Sequence, residues 1–452
     1  MFLDLTHSHA HVPFGKTSSS TPSPKPLPPS PRWTSERLKD LVLDCGADDV
    51  GVVSIARAEL DPQRQEMQLA LPGVKVVVAF VKRMSRGNVQ SVLRSVANTE
   101  FHASIDDVNH VAQRAVRRLE EAGVRAANPA AAFPMEMDRF PEKSWVVSHK
   151  PIAVAAGLGQ MGIHRNIIHP VFGNFILLGT LLVDVVLDDG DEQMPIDYNP
   201  CLSCKLCVAA CPVGAIAPDG SFDFSACYTH NYREFMSGFS DFVEDVVAAD
   251  DRADFRRRRP LSESVSMWQS LAYGPNYKAA YCMAVCPAGE EVIAPFLDDK
   301  PAYLDAVVRP LQAKEETLYV LKGSNAEAHA EKRFPHKKRK RVRNGLYATT
   351  VQGFLRAAHL AFRPSRAAGL QFTTHFTFTG DIGEVQATFV IDDGTLRVEQ
   401  GHIGEAELRI VVDGDTWLRI ARGDERPLWP LLTRRLRVKG LKWMPKFGAC
   451  FG

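Results

Sequence analysis

The chain has 452 residues, of which 45% are hydrophobic and 24% are charged, and its formal net charge is +1. These values are typical of a globular protein with two or three domains, each able to bury its own core. A charge near zero argues against nucleic-acid binding, so no nucleic-acid partner is predicted. No apolar run reaches the length of a membrane span and no secretory signal is found, so we expect a cytoplasmic protein that is not transmembrane.

The first 32 residues are rich in serine and proline, with six prolines between Pro22 and Pro31. Such a segment cannot bury enough apolar surface to fold, so residues 1–32 are predicted to be a disordered tail.

Residues 34–190 have the pattern of an α/β cofactor-binding domain. A helix is predicted from Ser35, a buried strand over Val74–Phe80, a second helix over Val108–Glu121 and a strand within Phe175–Leu187. A glycine-rich loop lies before the last strand, and its members are Gly157, Gly159 and Gly162. Glycines let backbone approach a ligand closely, although tight turns use the same residues.

Seven of the nine cysteines lie between positions 201 and 286. The first four follow the spacing of a bacterial ferredoxin loop, Cys201-x2-Cys204-x2-Cys207-x3-Cys211-Pro212, and a second Cys-Pro element, Cys282-x3-Cys286-Pro287, comes later. Two Cys-Pro elements are typical of a two-cluster arrangement, because each such cysteine binds the opposite cluster. A zinc site and disulfides are the alternatives, but zinc knuckles need only four thiolates and the chain has no secretory signal. Residues 191–310 are therefore predicted to be a ferredoxin-like iron-sulfur domain.

The crossover rule assigns Cys201, Cys204, Cys207 and Cys286 to the first four-iron, four-sulfur cluster. Cys211, Cys227 and Cys282 remain for a second cluster, and Ala279 occupies the position where its fourth cysteine is expected. His230, a non-protein ligand or a three-iron cluster would each account for this gap. The distant Cys45 and Cys450 are interpreted as buried thiols.

Residues 311–345 contain a basic run from Lys332 to Arg343. A run of this kind is usually a solvated linker, and contact with anionic lipid or nucleic acid is the alternative. We therefore predict a basic linker.

Residues 346–452 change to a β-rich pattern. Val385, Ala387, Phe389 and Ile391 alternate along one strand, a turn follows at 392–394, and further alternation comes at 408–412.

The segment Ala156-Gly157-Leu158-Gly159 with Gly162, followed by Gly173 and the cysteine array, resembles epoxyqueuosine reductases and reductive dehalogenases over residues 34–310. That resemblance implies a nitroreductase-like α/β domain that holds base-off cobalamin, with two four-iron clusters in an attached ferredoxin-like domain. The residues implied to bind cobalamin are Lys150, Gly157, Leu158, Gly159 and Gly162.

This chain departs from the epoxyqueuosine reductase pattern at the expected proton donor. The aspartate of that family aligns with Lys143, beside Glu142, and its Glu-Arg pair is replaced by His149 and Lys150. The queuosine pocket is therefore not reproduced. General acids at neutral pH are usually histidine, carboxylates, lysine or tyrosine, so the catalytic candidates are His149, Lys143 and Glu142.

Residues 346–450 resemble a sterol carrier protein type two domain, in which an α+β fold encloses an apolar tunnel for lipids. Seven aromatic residues would line such a tunnel or simply form the core, namely Phe372, Phe376, Phe378, Phe389, Trp417, Trp429 and Trp443.

The sequence thus predicts an iron-sulfur, cobalamin-dependent reductase acting on a hydrophobic small molecule or lipid. Electrons would come from a flavodoxin or ferredoxin-like donor. The alternative is a non-catalytic electron carrier or a corrinoid-handling protein.

Overall fold

The structure is a computed structural model that describes residues 32–139, 145–190, 194–198, 201, 204–343, 348–380 and 383–451. The predicted tail, apart from Arg32, lies outside the described residues. From Trp33 onward the chain forms one compact unit. None of the helices in the described ranges is long and apolar enough to cross a membrane.

The amino-terminal part contains six strands and five helices within its described residues. They are α1 (Ser35–Asp44), β1 (Asp49–Ser54), α2 (Asp61–Ala70), β2 (Val76–Arg83), α3 (Arg86–Gln90), α4 (Arg94–Glu121), β3 (Ala126–Ala127), α5 (His149–Ala155), β4 (Gln160–Met161), β5 (Ile167–Ile168) and β6 (Ile176–Val183). Four strands form an antiparallel sheet in the order β1-β2-β6-β3.

Helices cover both faces of this sheet because β2 is apolar at every position from Val76 to Val81. Val78 and Phe80 pack with residues of α1 and α4. Val77 and Ala79 pack on the other face with α2 and α5. The predicted α/β arrangement is confirmed.

The cysteine-rich part is built from short helices. They are α6 (Leu206–Ala210), α7 (Phe224–His230), α8 (Gly238–Val247), α9 (Arg252–Arg258), α10 (Leu261–Tyr273), α11 (Tyr281–Ala284), α12 (Ala294–Asp298), α13 (Lys300–Tyr303) and α14 (Arg309–Ala313). Its apolar core also includes Val89 of α3 and both Ala97 and Phe101 of α4. The cysteines therefore pack directly against the α/β part.

The described part of the segment 311–345, which is residues 311–343, is folded, and the prediction of a basic linker is wrong there. After the end of α14 it contains β7 (Thr317–Leu321), α15 (Asn325–Arg333) and β8 (Lys338–Val342), and the two strands pair in parallel. Its cations have acidic partners both within the segment and elsewhere in the chain. The buried Lys337 donates to Glu316 at 2.6 Å, and Lys340 donates to Glu263 at the same distance. Neutralisation by these partners allows a basic run to fold.

The carboxy-terminal part contains a second sheet, whose strand order is β11-β10-β9-β12-β13. Among the described strands of this sheet, β9 and β12 pair in parallel, and the other neighbouring strands pair antiparallel. Its elements are α16 (Val351–Ala361), α17 (Pro364–Ala367), β9 (Gln371–Thr379), β10 (Val385–Asp392), β11 (Thr395–Gln400), β12 (Leu408–Asp413), α18 (Gly414–Arg422), α19 (Leu428–Leu432), β13 (Leu436–Lys439) and α20 (Met444–Ala449).

The aromatic residues of this part pack against one another as a core. The ring of Phe376 lies 4.9 Å from Trp417 and 5.0 Å from Phe389, measured between centroids. Phe447 of α20 packs on the same rings. Trp429 lies outside this core and is 61% exposed. Ring packing of this kind favours the core over the lipid tunnel, and the sterol carrier resemblance stays a prediction.

Candidate iron-sulfur site

Four thiols lie together as the first set, Cys201, Cys204, Cys207 and Cys286. Burial raises the pKa of Cys207, and the neighbouring thiols Cys282, Cys286, Cys204 and Cys201 raise it further. Burial also raises the pKa of Cys286 to about 12; a hydrogen bond from the backbone of Ala288 opposes this, while Cys204 and Cys201 add to it. These interactions connect the four thiols, but Cys282 of the second set also acts on Cys207 and on Cys286. The assignment of the four thiols to one cluster therefore stays a prediction.

Three further thiols form the second set, Cys211, Cys227 and Cys282. Burial raises the pKa of Cys227 well above its ordinary value, and Cys282 and Cys211 raise it further. Burial and then Cys211 raise the pKa of Cys282 to about 11. The backbone N–H of Ala215 donates to the sulfur of Cys211 at 3.2 Å.

These donors fit iron-sulfur clusters in their chemistry. Both sets consist of soft sulfur atoms, which such clusters use as ligands. In the parts of the chain that the structure describes, no three His, Cys, Asp or Glu side chains converge on a single ion. The raised pKa values of Cys207, Cys227, Cys282 and Cys286 favour the protonated thiols, so cluster binding would release protons from these four residues.

The α/β part holds the loop that follows Cys286. The backbone N–H groups of Glu290 and Glu291 donate to the carbonyls of Pro170 and Val171 at 2.8 and 3.1 Å. Gly173 allows this contact, because a Cβ there would lie 2.0 Å from the carbonyl oxygen of Ala288. Its φ of 65° also favours glycine.

Asn231 holds the segment before Cys282. Its side-chain oxygen accepts the backbone N–H groups of Ala279 and Ala280 at 3.1 and 2.8 Å, and its carbonyl accepts that of Lys278 at 3.1 Å. The N–H of Asn231 donates to the carbonyl of Cys227 at 2.7 Å. Asn231 thereby joins the segments of two second-set thiols, a role that its position four residues after Cys227 could have suggested.

Lys150 lies beside the second thiol set. Its ammonium donates to the side-chain oxygen of Asn166 at 3.1 Å and to the carbonyl of Arg165 at 2.5 Å, and the Asn166 amide lies 4.0 Å from the sulfur of Cys282. Burial lowers the pKa of Lys150, whereas the thiols of Cys282 and Cys227 oppose this shift. This residue, assigned to cobalamin by the resemblance, is thus a cation next to the second set.

The glycine-rich loop packs against protein. A Cβ on Gly159 would lie 2.5 Å from the carbonyl oxygen of Ile168, and one on Gly162 would lie 2.7 Å from the ring of His164. Leu158 is buried in the core of the α/β part, and Gly157 has a φ of 72° where helix α5 ends. These glycines permit close packing of the chain on itself, so the side-chain space at Gly159 and Gly162 does not fit a corrin.

His149 is the one catalytic candidate within the described residues, because Lys143 and Glu142 lie outside them. Its Nδ1 accepts from the hydroxyl of Thr180 at 2.8 Å, and its Nε2 donates to the carbonyl of Ala130 at 3.0 Å. Burial lowers its pKa, although the hydrogen bond to Ala130 opposes this. Both ring nitrogens are engaged within the protein, so the geometry does not support a role as proton donor.

One comparison with known protein families concerns the first cysteine motif. The family described as "4Fe-4S binding domain" matches residues 194–217, which include Cys201 to Cys211. This match confirms the prediction of an iron-sulfur cluster at the first cysteine motif.

Curated relatives bear the name epoxyqueuosine reductase, which is an oxidoreductase. That of Gloeobacter violaceus is 26% identical over 176 residues, which are 38% of this chain and 51% of the relative. That of Synechococcus is 29% identical over 174 residues, 37% of this chain and 49% of the relative. The chain spans about half the length of these relatives.

Two solved structures show a weaker likeness. Epoxyqueuosine reductase from Streptococcus thermophilus is 13% identical, with a TM-score of 0.35, over 66% of this chain and 80% of that one. An epoxyqueuosine reductase crystallised with a tRNA stem loop is 14% identical, with a TM-score of 0.33, over 67% of this chain and 98% of that one.

The comparisons overturn the exclusion of nucleic acid. A protein of the kind that this chain resembles has been crystallised with a tRNA stem loop. The exclusion rested on the net charge of +1. Net charge is the wrong criterion, because contacts to phosphates need only a local cationic surface.

Proposed function

We propose that this chain is an iron-sulfur oxidoreductase of the epoxyqueuosine reductase type, in which two clusters relay electrons to a bound substrate. The observation that carries the proposal is the match of the 4Fe-4S binding domain family to residues 194–217, together with seven cysteines whose spacing is typical of two clusters. Cys282 links the sets, because its thiol raises the pKa of Cys207 in the first set and that of Cys227 in the second.

Cys201, Cys204, Cys207 and Cys286 would hold the first cluster, and Cys211, Cys227 and Cys282 would hold the second. Bound clusters supply one-electron transfer at potentials that depend on hydrogen bonds and nearby charges. Two features of this chain act on the second set in this way, the amide of Asn166 beside Cys282 and the ammonium of Lys150. Both would stabilise the reduced, more negative state.

The residues of the glycine-rich loop do not fit cobalamin. The resemblance implies it, but the side-chain faces of Gly159 and Gly162 are filled by β5 and His164. Cobalt analysis of the purified protein tests this point, and we expect no stoichiometric cobalt.

A second candidate is a non-catalytic electron carrier. It is favoured by one observation, the engagement of both His149 nitrogens by Thr180 and Ala130. A carrier needs no proton donor, whereas reduction of an epoxide does.

The two candidates are separated by a reoxidation experiment under anaerobic conditions. The protein is reduced chemically, the reductant is removed, and a tRNA stem loop carrying epoxyqueuosine is added while the visible absorption is followed. The oxidoreductase should be reoxidised with formation of the deoxygenated nucleoside, and the same stem loop lacking the epoxide should have no effect. Fully loaded protein that stays reduced with both stem loops would contradict the proposal and favour the carrier.

A further inference from the structure

Ala279 occupies the position of a fourth second-set ligand. In the first motif, cysteines follow one another at intervals of three, and Ala279 lies three residues before Cys282. Its side chain is buried and belongs to the same apolar core as Cys211, against which Cys227 and Cys282 pack. A buried methyl group therefore occupies the sequence position at which the spacing predicts a thiol.

The position of Ala279 relative to the second set is well defined. Asn231 binds the N–H groups of both Ala279 and Ala280 and is itself bonded to the carbonyl of Cys227. Ala280 has a φ of 52°, which turns the chain into α11, the helix that carries Cys282. These hydrogen bonds and this turn thus fix the backbone at Ala279 relative to the segments that carry Cys227 and Cys282.

His230 does not fill the gap. Its Nδ1 accepts the backbone N–H of Tyr319 at 3.4 Å, which places the imidazole proton on Nε2 and leaves that nitrogen no lone pair for iron. Its ring lies against Tyr319, 6.2 Å between centroids. The charged groups that act on it are Glu316 and three lysines rather than thiols.

Two oxygen groups lie closer to the second set. Asp223 acts on Cys227, but its carboxylate caps α7 by accepting the N–H of Ala226 at 2.9 Å. The phenol of Tyr232 lies near Cys227 and Cys282, which both act on it. Its hydroxyl is the protein group that an experiment must separate from an external ligand.

We propose that three thiols hold the second cluster and that the open position at Ala279 lets one iron bind a small exogenous oxygen donor. The donor would be water or hydroxide from the solvent. Lys150, beside Cys282 and Cys227, favours a donor with negative charge. This inference rests on the proposed function, because it concerns the second of the two proposed clusters.

An iron held by three thiolates and an external ligand is lost more readily than one held by four. Ferricyanide should take one electron from the oxidised cube while one ferrous ion leaves, giving the paramagnetic signal of a three-iron cluster. Ala279→Cys should supply the missing thiolate and abolish that signal. Ala279→Ser, which has nearly the same volume without the sulfur, should behave as wild type.

Water enriched in oxygen-17 tests the external ligand directly. It should broaden the paramagnetic resonance of the reduced second cluster in wild type and in Tyr232→Phe, but not in Ala279→Cys. No broadening in wild type would overturn the inference, as would its loss in Tyr232→Phe.

Iron analysis and the stem-loop assay distinguish failure of this inference from failure of the proposed function. If the inference alone is wrong, wild type contains two clusters and reduces the substrate, yet Ala279→Cys changes neither the three-iron signal nor the broadening. If the proposed function is wrong, wild type is not reoxidised by the epoxide-bearing stem loop, whatever the behaviour of Ala279→Cys.

Discussion

The carbonyl oxygen of Ala288 lies 2.0 Å from the position that a Cβ on Gly173 would occupy. Ala288 follows Cys286 by two residues, and Gly173 precedes strand β6 of the α/β part. The α/β part therefore determines the path of the chain that carries the last thiol of the first set.

Gly173→Ala should displace the loop that follows Cys286 and weaken the first cluster. Because the methyl group would meet backbone rather than a flexible side chain, we expect a loss of about half of the iron. Gly123→Ala is the matched control, since Gly123 also has a positive φ, 78°, but nothing lies within 4 Å of its Cβ position. Iron and sulfide analysis measures the effect, and equal iron in both variants would contradict the prediction.

Asn231→Ala should selectively weaken the second cluster. The variant removes the acceptor for the N–H groups of Ala279 and Ala280, and each unsatisfied buried donor costs about 1–3 kcal/mol. Asn231→Asp keeps an acceptor oxygen and should retain the cluster. Electron paramagnetic resonance of the reduced proteins would show this difference, and a normal second-cluster signal in Asn231→Ala would refute it.

His149→Ala should lower stability and leave both clusters in place. Its ring bridges Thr180 on β6 and the carbonyl of Ala130, and loss of these bonds in a partly buried site costs about 1–3 kcal/mol. Urea denaturation monitored by tryptophan fluorescence measures the change. Unchanged stability together with loss of substrate reduction would restore His149 as a catalytic candidate.

Asp241 should make stability depend on pH below about 4. Burial raises its pKa, but the charges and hydrogen bonds of Arg233 and Arg259 outweigh burial and hold it below the ordinary value. A lowered folded-state pKa means that the contribution is complete above the unfolded-state pKa and is lost as the pH falls through the folded-state pKa. Asp241→Asn should cost about 3–5 kcal/mol at neutral pH, since it takes the carboxylate from the buried Arg233, whereas Arg259 keeps Asp245 and Glu263.

The measurement for Asp241 compares iron-free proteins, so that acid lability of the clusters does not enter. The stability difference between wild type and Asp241→Asn should narrow as the pH falls from 5 to 3. Asp298→Asn, a change at an exposed carboxylate, should show a small difference at every pH. A stability difference between wild type and Asp241→Asn that stays constant down to pH 3 would contradict the lowered pKa of Asp241.

The iron-sulfur motif was predictable from sequence because cluster ligation imposes fixed local spacing. Cys201 to Cys211 lie in one short segment, and the Cys-Pro element at Cys286 indicates the crossover. The helices and strands of the α/β part were predictable for a similar reason, since apolar periodicity is local. The position of Asn231, four residues after Cys227, could have suggested a role beside the thiols. No spacing rule for clusters includes an asparagine at that position, however.

The features that sequence missed depend on partners far along the chain. Lys340 pairs with Glu263, 77 positions away, so its run resembles a solvated linker until the fold brings the two together. The acceptor of the His149 Nε2–H is a backbone carbonyl, which has no sequence signal at all. Gly159 was interpreted as facing a ligand, but the atoms it faces belong to Ile168.

The central claim is that two separate thiol sets hold two separate clusters. It is tested most directly by paramagnetic resonance and iron analysis of anaerobically purified wild type, Cys204→Ser and Cys227→Ser. Because Cys204 belongs to the first set and Cys227 to the second, each variant should lose one distinct signal and about half of the iron. Loss of the same signal in both variants, or of none in either, would contradict the account.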